Sequence, residues 1–600
     1  MPNILTRLVS SHASQTPDRE AYYSPEANGE WKPVTWRRMA EDVDAAANAL
    51  AFLGVQPQTM TATFSANRPE GVTVDFAAYA NRAVPVSIYS TSSLEQVVYI
   101  LNDTSATVIF VGNEAQLAIA RAARRMCPKL RCIVVIEPVK CRDTAVMTWE
   151  RFMEIGRSAT EEIKQEVAHR TETALTSDIA TLVYTSGTTG EPKGAVLPHS
   201  CFNRVMEIHK ERLSMLDESD TSVAFLPMSH IFEKAWTYFC LYMNMKVWIN
   251  LDPKEITKTL RQARPTSMCS VPRFWEKVYA GVNEKIAGMG GVQRALVSRA
   301  LKVGRKRNLD YVRTGRKVPW LLEKEYKFYD KRVFQVLKRV MGVERGKLFP
   351  TAGAAISPVI VEFLISCGIP IVVGYGLSET TATVSCYPQT DYQIGSVGVP
   401  LPGIDVRIGE NNEIQVKSAT VMRGYYNKPV ATGEAFTADG WFRTGDAGRI
   451  DPATGAIFLT ERLKDLFKTS NGKYVAPQAI ESRLGEDPVI EQVAVIGDQR
   501  KFVTALIVPS FDVLREYAAR QGIAGRTPEE LVKSEEIHRM IEQRLEGLQQ
   551  GLANHEKIKR FTLLPKEFTM ENGELTNTLK VRRPVVAEHY KNEIEQMYKC

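Results

Sequence analysis

Short β-branched runs alternate with helical patterns through residues 34–180 of this chain. The strand patterns lie at 59–65, 83–90, 107–112 and 131–137. Strands that alternate with helices of about 10–15 residues form parallel sheets in an α/β architecture. The same alternation resumes over residues 200–250. The sequence therefore predicts an α/β fold with layered, mostly parallel sheets.

The C-terminal part of the chain has a different pattern. A length of 600 residues exceeds one ordinary domain. Two strand patterns, at 492–497 and 503–509, are followed by a helical pattern over 528–548. We therefore expect a large N-terminal region with several subdomains over 1–462 and a small α+β C-terminal domain over 463–600.

The cysteines and the N-terminus indicate where such a chain would reside. Nine cysteines are scattered without Cys-x-x-Cys pairs, which indicates reduced thiols rather than a disulfide framework. The first residues lack the apolar core and cleavage site of a signal peptide, and no apolar run of roughly 20 residues could span a membrane. The sequence predicts a cytoplasmic protein whose contact with a membrane, if any, is peripheral, on the cytoplasmic face.

Positive charge is concentrated between Arg299 and Arg339. This segment holds 14 Lys and Arg against 4 Asp and Glu, a balance of +10, whereas the whole chain carries +7. Its apolar residues at helical spacing are Tyr326, Tyr329, Val333, Val336, Leu337 and Val340. A basic helical insertion over 285–345 either packs as a solvated hairpin or docks on an anionic membrane, and both alternatives stay open. Nucleic acid is not an expected partner, because no nucleic-acid-binding motif accompanies the charge.

A loop rich in glycine and hydroxyl residues, Tyr184–Gly194, lies between two strand patterns. It reads Tyr-Thr-Ser-Gly-Thr-Thr-Gly-Glu-Pro-Lys-Gly. Glycines let backbone N–H groups approach an anion, hydroxyls donate further hydrogen bonds, and Lys193 adds a positive charge. The Walker loop differs, because it places Gly-Lys-Ser/Thr at the start of a helix. The pattern predicts a polyphosphate site, with a ligand-free surface turn as the alternative.

This loop resembles the phosphate loop of the adenylate-forming superfamily of acyl-CoA synthetases, peptide-synthetase adenylation domains and luciferases. Further segments resemble the other motifs of that family in the same order, and they are Leu226–His230, Thr351–Ala355, Gly374–Thr380, Asp439–Asp446, Glu461–Leu466 and Leu575–Lys580. The segment Ser270–Tyr279 and the basic insertion are typical of long-chain acyl-CoA synthetases. The resemblance covers roughly residues 15–590 and implies that the small C-terminal domain is mobile.

The resemblance implies a nucleotide site. Tyr375 would stack on the adenine, whereas Asp446 and Arg462 would meet the ribose. Thr185 and Glu379 would reach Mg²⁺. The complete implied set is Thr185, Ser186, Gly187, Thr188, Thr189, Gly190, Lys193, Gly353, Ala354, Gly374, Tyr375, Gly376, Ser378, Thr380, Asp446 and Arg462.

The implied catalytic residues are Lys580, Lys193, Glu379 and His230. Lys580 follows Leu579, where many relatives have glycine, and it would act on the α-phosphate. His230 would stand near the acyl carboxylate, with a satisfied core histidine as the alternative.

Three further residues would serve the second half of the reaction. The resemblance makes Lys464 the hinge between the two domains. Gly472 and Tyr474 would line the entry for coenzyme A.

The implied reaction is the ATP-dependent ligation of a long-chain fatty acid to coenzyme A through an acyl-adenylate, with release of AMP and pyrophosphate. Its substrates and cofactors are the fatty acid, ATP, Mg²⁺ and coenzyme A. The alternatives are an acyl-AMP ligase that loads a carrier protein, a ligase for shorter-chain or aryl acids, and a non-catalytic membrane scaffold. A scaffold would be expected to lose a catalytic residue, but Lys193, Glu379, Asp446 and Lys580 are all present.

Overall fold

The structure is a computed structural model that describes residues 3–26, 29–140, 143–185, 191–463, 466–523, 527–570, 572–576 and 580–599. The strands up to residue 462 are β1 (Glu20–Pro25), β2 (Trp31–Thr35), β3 (Met60–Phe64), β4 (Val84–Ile88), β5 (Val108–Val111), β6 (Cys132–Val135), β7 (Val146–Thr148), β8 (Ile179–Thr185), β9 (Lys193–Pro198), β10 (Thr221–Ala224), β11 (Lys246–Ile249), β12 (Phe349–Thr351), β13 (Ile371–Tyr375), β14 (Ser385–Cys386), β15 (Val399–Pro400), β16 (Asp405–Ile408), β17 (Glu413–Lys417), β18 (Phe442–Ile450) and β19 (Ile457–Arg462). The later strands are β20 (Phe467–Lys468), β21 (Tyr474–Val475), β22 (Ile490–Ile496), β23 (Val503–Pro509) and β24 (Ile558–Leu563).

Helices separate most of these strands. Those before residue 462 are α1 (Ile4–Gln15), α2 (Trp36–Phe52), α3 (Pro69–Ala80), α4 (Leu94–Thr104), α5 (Glu114–Arg124), α6 (Trp149–Arg157), α7 (Glu161–Glu172), α8 (His199–Arg212), α9 (Ile231–Tyr242), α10 (Ile256–Ala263), α11 (Pro272–Ala287), α12 (Gly291–Arg305), α13 (Trp320–Tyr329), α14 (Gln335–Met341), α15 (Pro358–Ser366) and α16 (Pro429–Ala435). The later helices are α17 (Pro477–Leu484), α18 (Phe511–Gln521), α19 (Pro528–Leu531), α20 (Glu535–Leu548), α21 (Arg583–His589) and α22 (Lys591–Tyr598). None of the helices in the described part of the chain combines the length and the apolar character that a membrane crossing requires.

A seven-stranded sheet forms the first layer, in the order β7-β6-β5-β3-β4-β8-β9. Its neighbours from β7 to β8 are parallel, and β9 returns antiparallel to β8 at the edge. Local sequence fixes the helix starts, since Thr35 caps α2 and Ser93 forms a capping box with Gln96 at α4. The predicted α/β fold with mostly parallel layers is confirmed.

Three four-stranded sheets complete the N-terminal region, in the orders β10-β11-β1-β2, β12-β13-β14-β15 and β16-β17-β18-β19. In the second of these, β12 and β13 are parallel, whereas the third is an antiparallel meander. A core between the first two layers includes Trp36, Tyr79, Phe202 and Tyr238, all fully buried. The ends of β8, β9, β13 and β18 supply the residues considered below.

The C-terminal region has its own sheet, β22-β23-β24, and its own hydrophobic clusters. β22 and β23 match the two predicted strands, and β24 adds a third that pairs parallel with β23. Val495, Ile507 and Ile541 are fully buried in one of these clusters. Their packing involves only residues after 466, but the division of the chain at 462 and 463 stays a prediction.

The basic insertion folds as α12, α13 and α14, with π-helical turns at Lys306–Val312 and Asp330–Phe334. The predicted apolar face does not lie on one surface. Tyr326 is buried against the core, and Leu337 packs beside it, whereas Val336 remains 53% exposed. The inward-facing residues of the pattern therefore contribute to ordinary core packing, and the choice between a solvated hairpin and membrane docking stays open.

Candidate active site

The phosphate-loop segment connects two paired strands. Thr185 ends β8 and Lys193 begins β9, and the two residues are partners across the antiparallel pair. The Thr185 hydroxyl donates to the carbonyl of Lys193 at 3.4 Å. The intervening Ser186, Gly187, Thr188, Thr189 and Gly190 lie outside the described residues, and their predicted contacts with phosphate stay predictions.

The end of this loop is tied down by two side chains. The Tyr99 hydroxyl donates to the carbonyl of Pro192 at 3.0 Å, and the Lys428 ammonium pairs with Glu191 at 3.0 Å. Gly194 packs closely, because a Cβ there would lie only 3.0 Å from the ring of Tyr184. These contacts hold Lys193 at the edge of the sheet.

Glu379 lies in a tight 3-10 turn after β13. A Cβ on Gly376 would meet the carbonyl carbon of Ala382 at 2.3 Å, so the turn needs glycine there. Thr381 and Ala382 both have left-handed backbone conformations, at φ 52° and 59°. Such conformations in residues other than glycine store strain that is concentrated at functional sites.

The two neighbours of Glu379 differ in exposure. Thr380 is fully buried, and its hydroxyl exchanges hydrogen bonds with the backbone of Leu377. Its predicted place at the nucleotide stays a prediction. Ser378 is half-buried.

Tyr425, a residue that the sequence analysis did not identify, connects Glu379 with Lys193. Its hydroxyl donates to Oε1 of Glu379 at 2.8 Å. The Lys193 ammonium lies over its ring, 5.3 Å from the centroid. The only local signal is a Gly-Tyr-Tyr run at Gly424, which on its own is typical of a turn. Its role can be recognised only in the folded chain, where Tyr425 contacts both Glu379 and Lys193.

The adenosine side of the site is built on β13, β18 and β19. The Tyr375 hydroxyl donates to Oδ2 of Asp446 at 2.7 Å. Asp446 and Arg462 are partners across the β18–β19 pair, with the Arg462 Nε 3.6 Å from Oδ1 of Asp446. Burial, followed by the Asp446 charge, raises the pKa of Tyr375, so its hydroxyl stays protonated and donates. The structure therefore brings together three predicted nucleotide residues from three separate motifs.

His230 caps the N-terminus of α9. Its Nδ1 accepts from the backbone N–H of Phe232 at 3.2 Å, so the side chain is fixed by the helix that follows it. Burial and, as the smaller cause, the positive charge of Lys580 together lower the pKa of His230 to about 4. The imidazole is therefore neutral at physiological pH.

Lys580 stands at one side of a short loop in the C-terminal region. Its backbone carbonyl accepts from the N–H of Thr576 at 2.8 Å, and its N–H donates to the Thr576 hydroxyl at 3.0 Å. A bridge between Leu575 and Val581 closes the base of this loop. Residues 577–579, including Leu579, lie outside the described residues.

An apolar cavity extends from the adenosine side toward α8 and α9. Its lining includes Thr351 and Tyr375 on the adenosine side and Phe232, Trp236 and Phe239 of α9. An apolar wall with few polar groups suits an acyl chain.

The remaining predicted residues lie apart from these contacts or outside the described residues. Gly353 adopts φ 93° in the exposed turn after β12, next to Ala354. Gly472 adopts φ 75° in a turn, and Tyr474 is 61% exposed. Lys464 lies outside the described residues.

The donor set at Glu379 fits Mg²⁺ bound together with a triphosphate. Mg²⁺ is usually held by one or two carboxylates and by substrate phosphates. Glu379 offers a carboxylate beside the phosphate loop, and Thr185 offers a hydroxyl at the start of that loop. Lys193 contacts the same tyrosine as Glu379 and adds the positive charge that a triphosphate needs.

Comparisons with known proteins agree with this arrangement. The family model described as "AMP-binding enzyme" matches residues 9–426, and "AMP-binding enzyme C-terminal domain" matches residues 464–600. The long-chain-fatty-acid–CoA ligase FadD15 of Mycobacterium bovis is 33% identical over 98% of this chain and 96% of its own length. The peroxisomal long chain acyl-CoA synthetase 7 of Arabidopsis thaliana is 29% identical over 95% of this chain and 82% of its own length.

Solved structures show the same fold. The anthranilate CoA ligase AuaEII in complex with anthranoyl-AMP has a TM-score of 0.74 and 18% identity, with 98% of each chain covered. The predicted resemblance to the adenylate-forming superfamily is thereby confirmed. This chain belongs to the AMP-binding family of adenylate-forming enzymes.

Proposed function

We infer that this chain is a long-chain-fatty-acid–CoA ligase. It joins a fatty acid to coenzyme A through an acyl-adenylate and releases AMP and pyrophosphate. The observation that carries this conclusion is the similarity, over nearly the whole chain, to relatives that bear that enzyme name, and the described residues agree with it through a neutral His230 and an apolar cavity that Phe232 lines. An acyl-AMP ligase that loads a carrier protein and a ligase for shorter-chain or aryl acids are less favoured.

The first half-reaction requires charge neutralisation more than a base. The fatty carboxylate attacks the α-phosphorus of ATP, and the bond to pyrophosphate breaks. Since both reactants are anionic, positively charged groups around the phosphates lower the barrier. We propose that Lys193 holds the β- and γ-phosphates and that Lys580 stabilises the charge that develops on the α-phosphate. Mg²⁺, when bound with the triphosphate at Glu379 and Thr185, would neutralise further negative charge.

His230 would orient the carboxylate rather than bind it as a cation. Its pKa of about 4 leaves it neutral, so that its ring offers a dipole without a competing positive charge. The imidazole is already fixed through Nδ1 by the Phe232 N–H. The acyl chain would then follow the cavity past Phe232 and Trp236.

The second half-reaction would use another face of the C-terminal region. We propose that the region turns about Lys464, withdraws Lys580 and brings Gly472 and Tyr474 to the adenylate. The coenzyme A thiol attacks the acyl carbonyl, the thiol proton is lost and AMP leaves.

The proposed activity is tested by measuring pyrophosphate release with a series of fatty acids, with and without coenzyme A. We expect release with long-chain acids and, when coenzyme A is present, acyl-CoA as the product. Release that is followed by no acyl-CoA would favour the carrier-loading alternative. Preference for an aryl acid would overturn the long-chain assignment.

We further propose that the outward face of α13 docks on anionic lipid. Trp320 and Leu321 are 71% and 63% exposed, and Phe328 is 46% exposed on the same side of the helix. Lys324 and Lys327 are exposed on that side too. Exposed aromatic and aliphatic side chains among lysines suit the interface of an anionic bilayer. Fatty acid partitions into bilayers, so docking would bring the enzyme to its substrate.

Two arginines near α13 are unsuitable for testing this proposal. Arg305 pairs with Glu362, and Arg307 pairs with Glu323 at 2.7 Å while it covers the Tyr326 ring. Replacing these arginines with glutamate would break the internal contacts, so a loss of vesicle binding could not be attributed to a lost contact with lipid.

Lys324→Glu combined with Lys327→Glu is the cleaner change. We expect the unmodified enzyme to co-sediment with anionic vesicles at low salt, less at high salt, and the double variant not to do so. Lys129→Glu with Arg131→Glu, an exposed basic pair elsewhere, serves as the control of equal charge. Equal binding to neutral vesicles, or equal losses in both variants, would leave the solvated hairpin as the interpretation.

A further inference from the structure

The 423–426 segment runs along β9 like an additional strand. The N–H of Val196 donates to the carbonyl of Gly424 at 2.9 Å, and the N–H of Arg423 donates to the carbonyl of Val196 at 3.0 Å. The N–H of Tyr426 donates to the carbonyl of Gly194 at 2.8 Å. An antiparallel bridge then sets Tyr425 opposite Ala195. The backbone position of Tyr425 is therefore fixed relative to Lys193, two residues before that bridge.

The same segment is also bound to the turn that carries Glu379. The N–H of Met422 donates to the carbonyl of Glu379 at 2.7 Å. The N–H of Tyr425 donates to the Thr432 hydroxyl at 2.9 Å, which ties the segment to α16 as well. The backbone around Tyr425 is thus held by β9, by the turn that carries Glu379 and by α16, independently of the Tyr425 side chain.

The Tyr425 side chain uses this fixed position to contact both charged groups. Its hydroxyl donates to one carboxylate oxygen of Glu379 at 2.8 Å, which leaves the other oxygen for a cation. Its ring lies beneath the Lys193 ammonium at 5.3 Å. A cation over an aromatic face is attracted by the ring quadrupole, and a carboxylate hydrogen-bonded at one oxygen loses rotational freedom.

We propose that Tyr425 is a positioning residue that presets the carboxylate of Glu379 and the ammonium of Lys193 for a triphosphate bound with a divalent cation. This inference rests on the proposed roles of Glu379 and Lys193.

Tyr425→Phe tests the hydroxyl alone, because the ring beneath Lys193 is kept. Two measurements are made, the Mg²⁺ dependence of adenylation and the binding of a non-hydrolysable ATP analogue by calorimetry. Loss of one hydrogen bond to a charged group should raise the Mg²⁺ concentration for half-maximal adenylation about ten-fold. Binding of the analogue should weaken about ten-fold with Mg²⁺ present and stay unchanged in EDTA.

Tyr425→Leu also removes the ring, and it should weaken analogue binding in EDTA as well, because Lys193 loses its support. Tyr426→Phe is the matched control. It also removes one tyrosine hydroxyl, but the Tyr426 ring packs against a neighbouring core cluster instead of contacting Glu379 and Lys193. Thioester formation from supplied acyl-adenylate should be unchanged in Tyr425→Phe, which also shows that the variant is folded.

Glu379→Gln separates failure of this inference from failure of the proposed metal role. If Glu379→Gln alters the Mg²⁺ dependence and Tyr425→Phe does not, Tyr425 has no positioning role. If neither variant alters it, the assignment of Glu379 itself is wrong. Equal weakening of analogue binding by Tyr425→Phe with Mg²⁺ and in EDTA would also overturn the inference, because the hydroxyl would then act on the nucleotide rather than through the carboxylate.

Discussion

The two lysines of the site are held in different ways. Lys193 begins a sheet strand, and the 423–426 segment, Tyr99 and Lys428 fix the backbone around it. Lys580 lies beside a loop of the C-terminal region, which reaches the N-terminal region through few polar contacts among the described residues. The main polar contact between the two regions is made by Arg273, which donates to the carbonyl of Glu491 at 2.5 Å and to its carboxylate at 2.6 Å.

This difference follows from the chemistry that each lysine would serve. A triphosphate must be bound in the same place in every turnover, so Lys193 benefits from a rigid position. Lys580 would be needed for adenylation and would then have to leave before coenzyme A enters. A contact that is polar and half-exposed is easily exchanged with water, whereas a packed apolar interface is not.

The largest effect is expected from removing Lys580. Lys580→Ala should slow adenylation by about 10²–10³, because an electrostatic contact to the transition state is lost. Thioester formation from supplied acyl-adenylate should be largely spared, since Lys580 would have withdrawn by then. Separate assays of the two half-reactions check this, and equal losses in both would end the distinction between a fixed and a delivered lysine.

A smaller effect is expected at the proposed hinge, Lys464. Proline fixes φ, so Lys464→Pro should restrict the turn of the C-terminal region and slow thioester formation about ten-fold more than adenylation. Rapid-quench measurement of acyl-adenylate and acyl-CoA follows both products. If their ratio is the same as in the unmodified enzyme, the pivot is not at Lys464.

Much of the rigid half could be predicted from the sequence because its motifs are local. The Gly-rich turn at Gly376 and the strand at Asp446 carry their residue types at fixed spacing. Tyr425 could not be predicted, because its role comes from the pairing of a distant segment with β9 rather than from its neighbours in sequence. Thr380 shows a further limit, since its motif does not reveal that its hydroxyl bonds to the backbone of its own turn.

The C-terminal region was predictable in part. Two strands of its sheet were recognised from β-branched runs. The third strand, Ile558–Leu563, has a burial pattern in which only its two ends are buried, so alternation could not identify it. Helical spacing in the basic insertion correctly indicated helices, but it could not tell a core-facing stripe at Tyr326 from an outward face at Trp320.

A smaller effect is expected from weakening the ion pair between Arg273 and Glu491, which joins the two regions. Burial raises the pKa of Glu491, but the charges of Arg273 and Lys277 outweigh that effect and hold its pKa below its usual value. Glu491→Gln should weaken the contact by about 1 kcal/mol and so lower adenylation about five-fold, with thioester formation unchanged or faster.

Glu535→Gln, which alters an exposed carboxylate at the start of α20, is the control for Glu491→Gln. Stopped-flow measurement of both half-reactions distinguishes the variants. Unchanged adenylation in Glu491→Gln would mean that other contacts hold Lys580 in place.

The smallest effect on activity is expected deep in the rigid half, at Glu233. This fully buried carboxylate accepts from the N–H groups of Phe225 and Leu226, at 3.3 and 2.9 Å, and from the Thr237 hydroxyl at 3.1 Å. Burial raises its pKa from 4.5 to about 7. Between these values the folded chain keeps a proton that the unfolded chain releases, so stability falls as pH rises through this window.

Glu233→Gln should remove that pH dependence while keeping the hydrogen bonds, because the amide oxygen can accept from the backbone and the amide N–H can donate to Thr237. The variant should gain about 2–3 kcal/mol of unfolding free energy relative to the unmodified chain between pH 5 and pH 8. All eight tryptophans precede residue 463, so urea unfolding followed by tryptophan fluorescence reports on this half alone. Glu434→Gln, at an exposed carboxylate of α16, should give no such gain. A pH-independent difference for Glu233→Gln would mean that the carboxylate stays ionised in the folded chain and that its hydrogen bonds outweigh its burial.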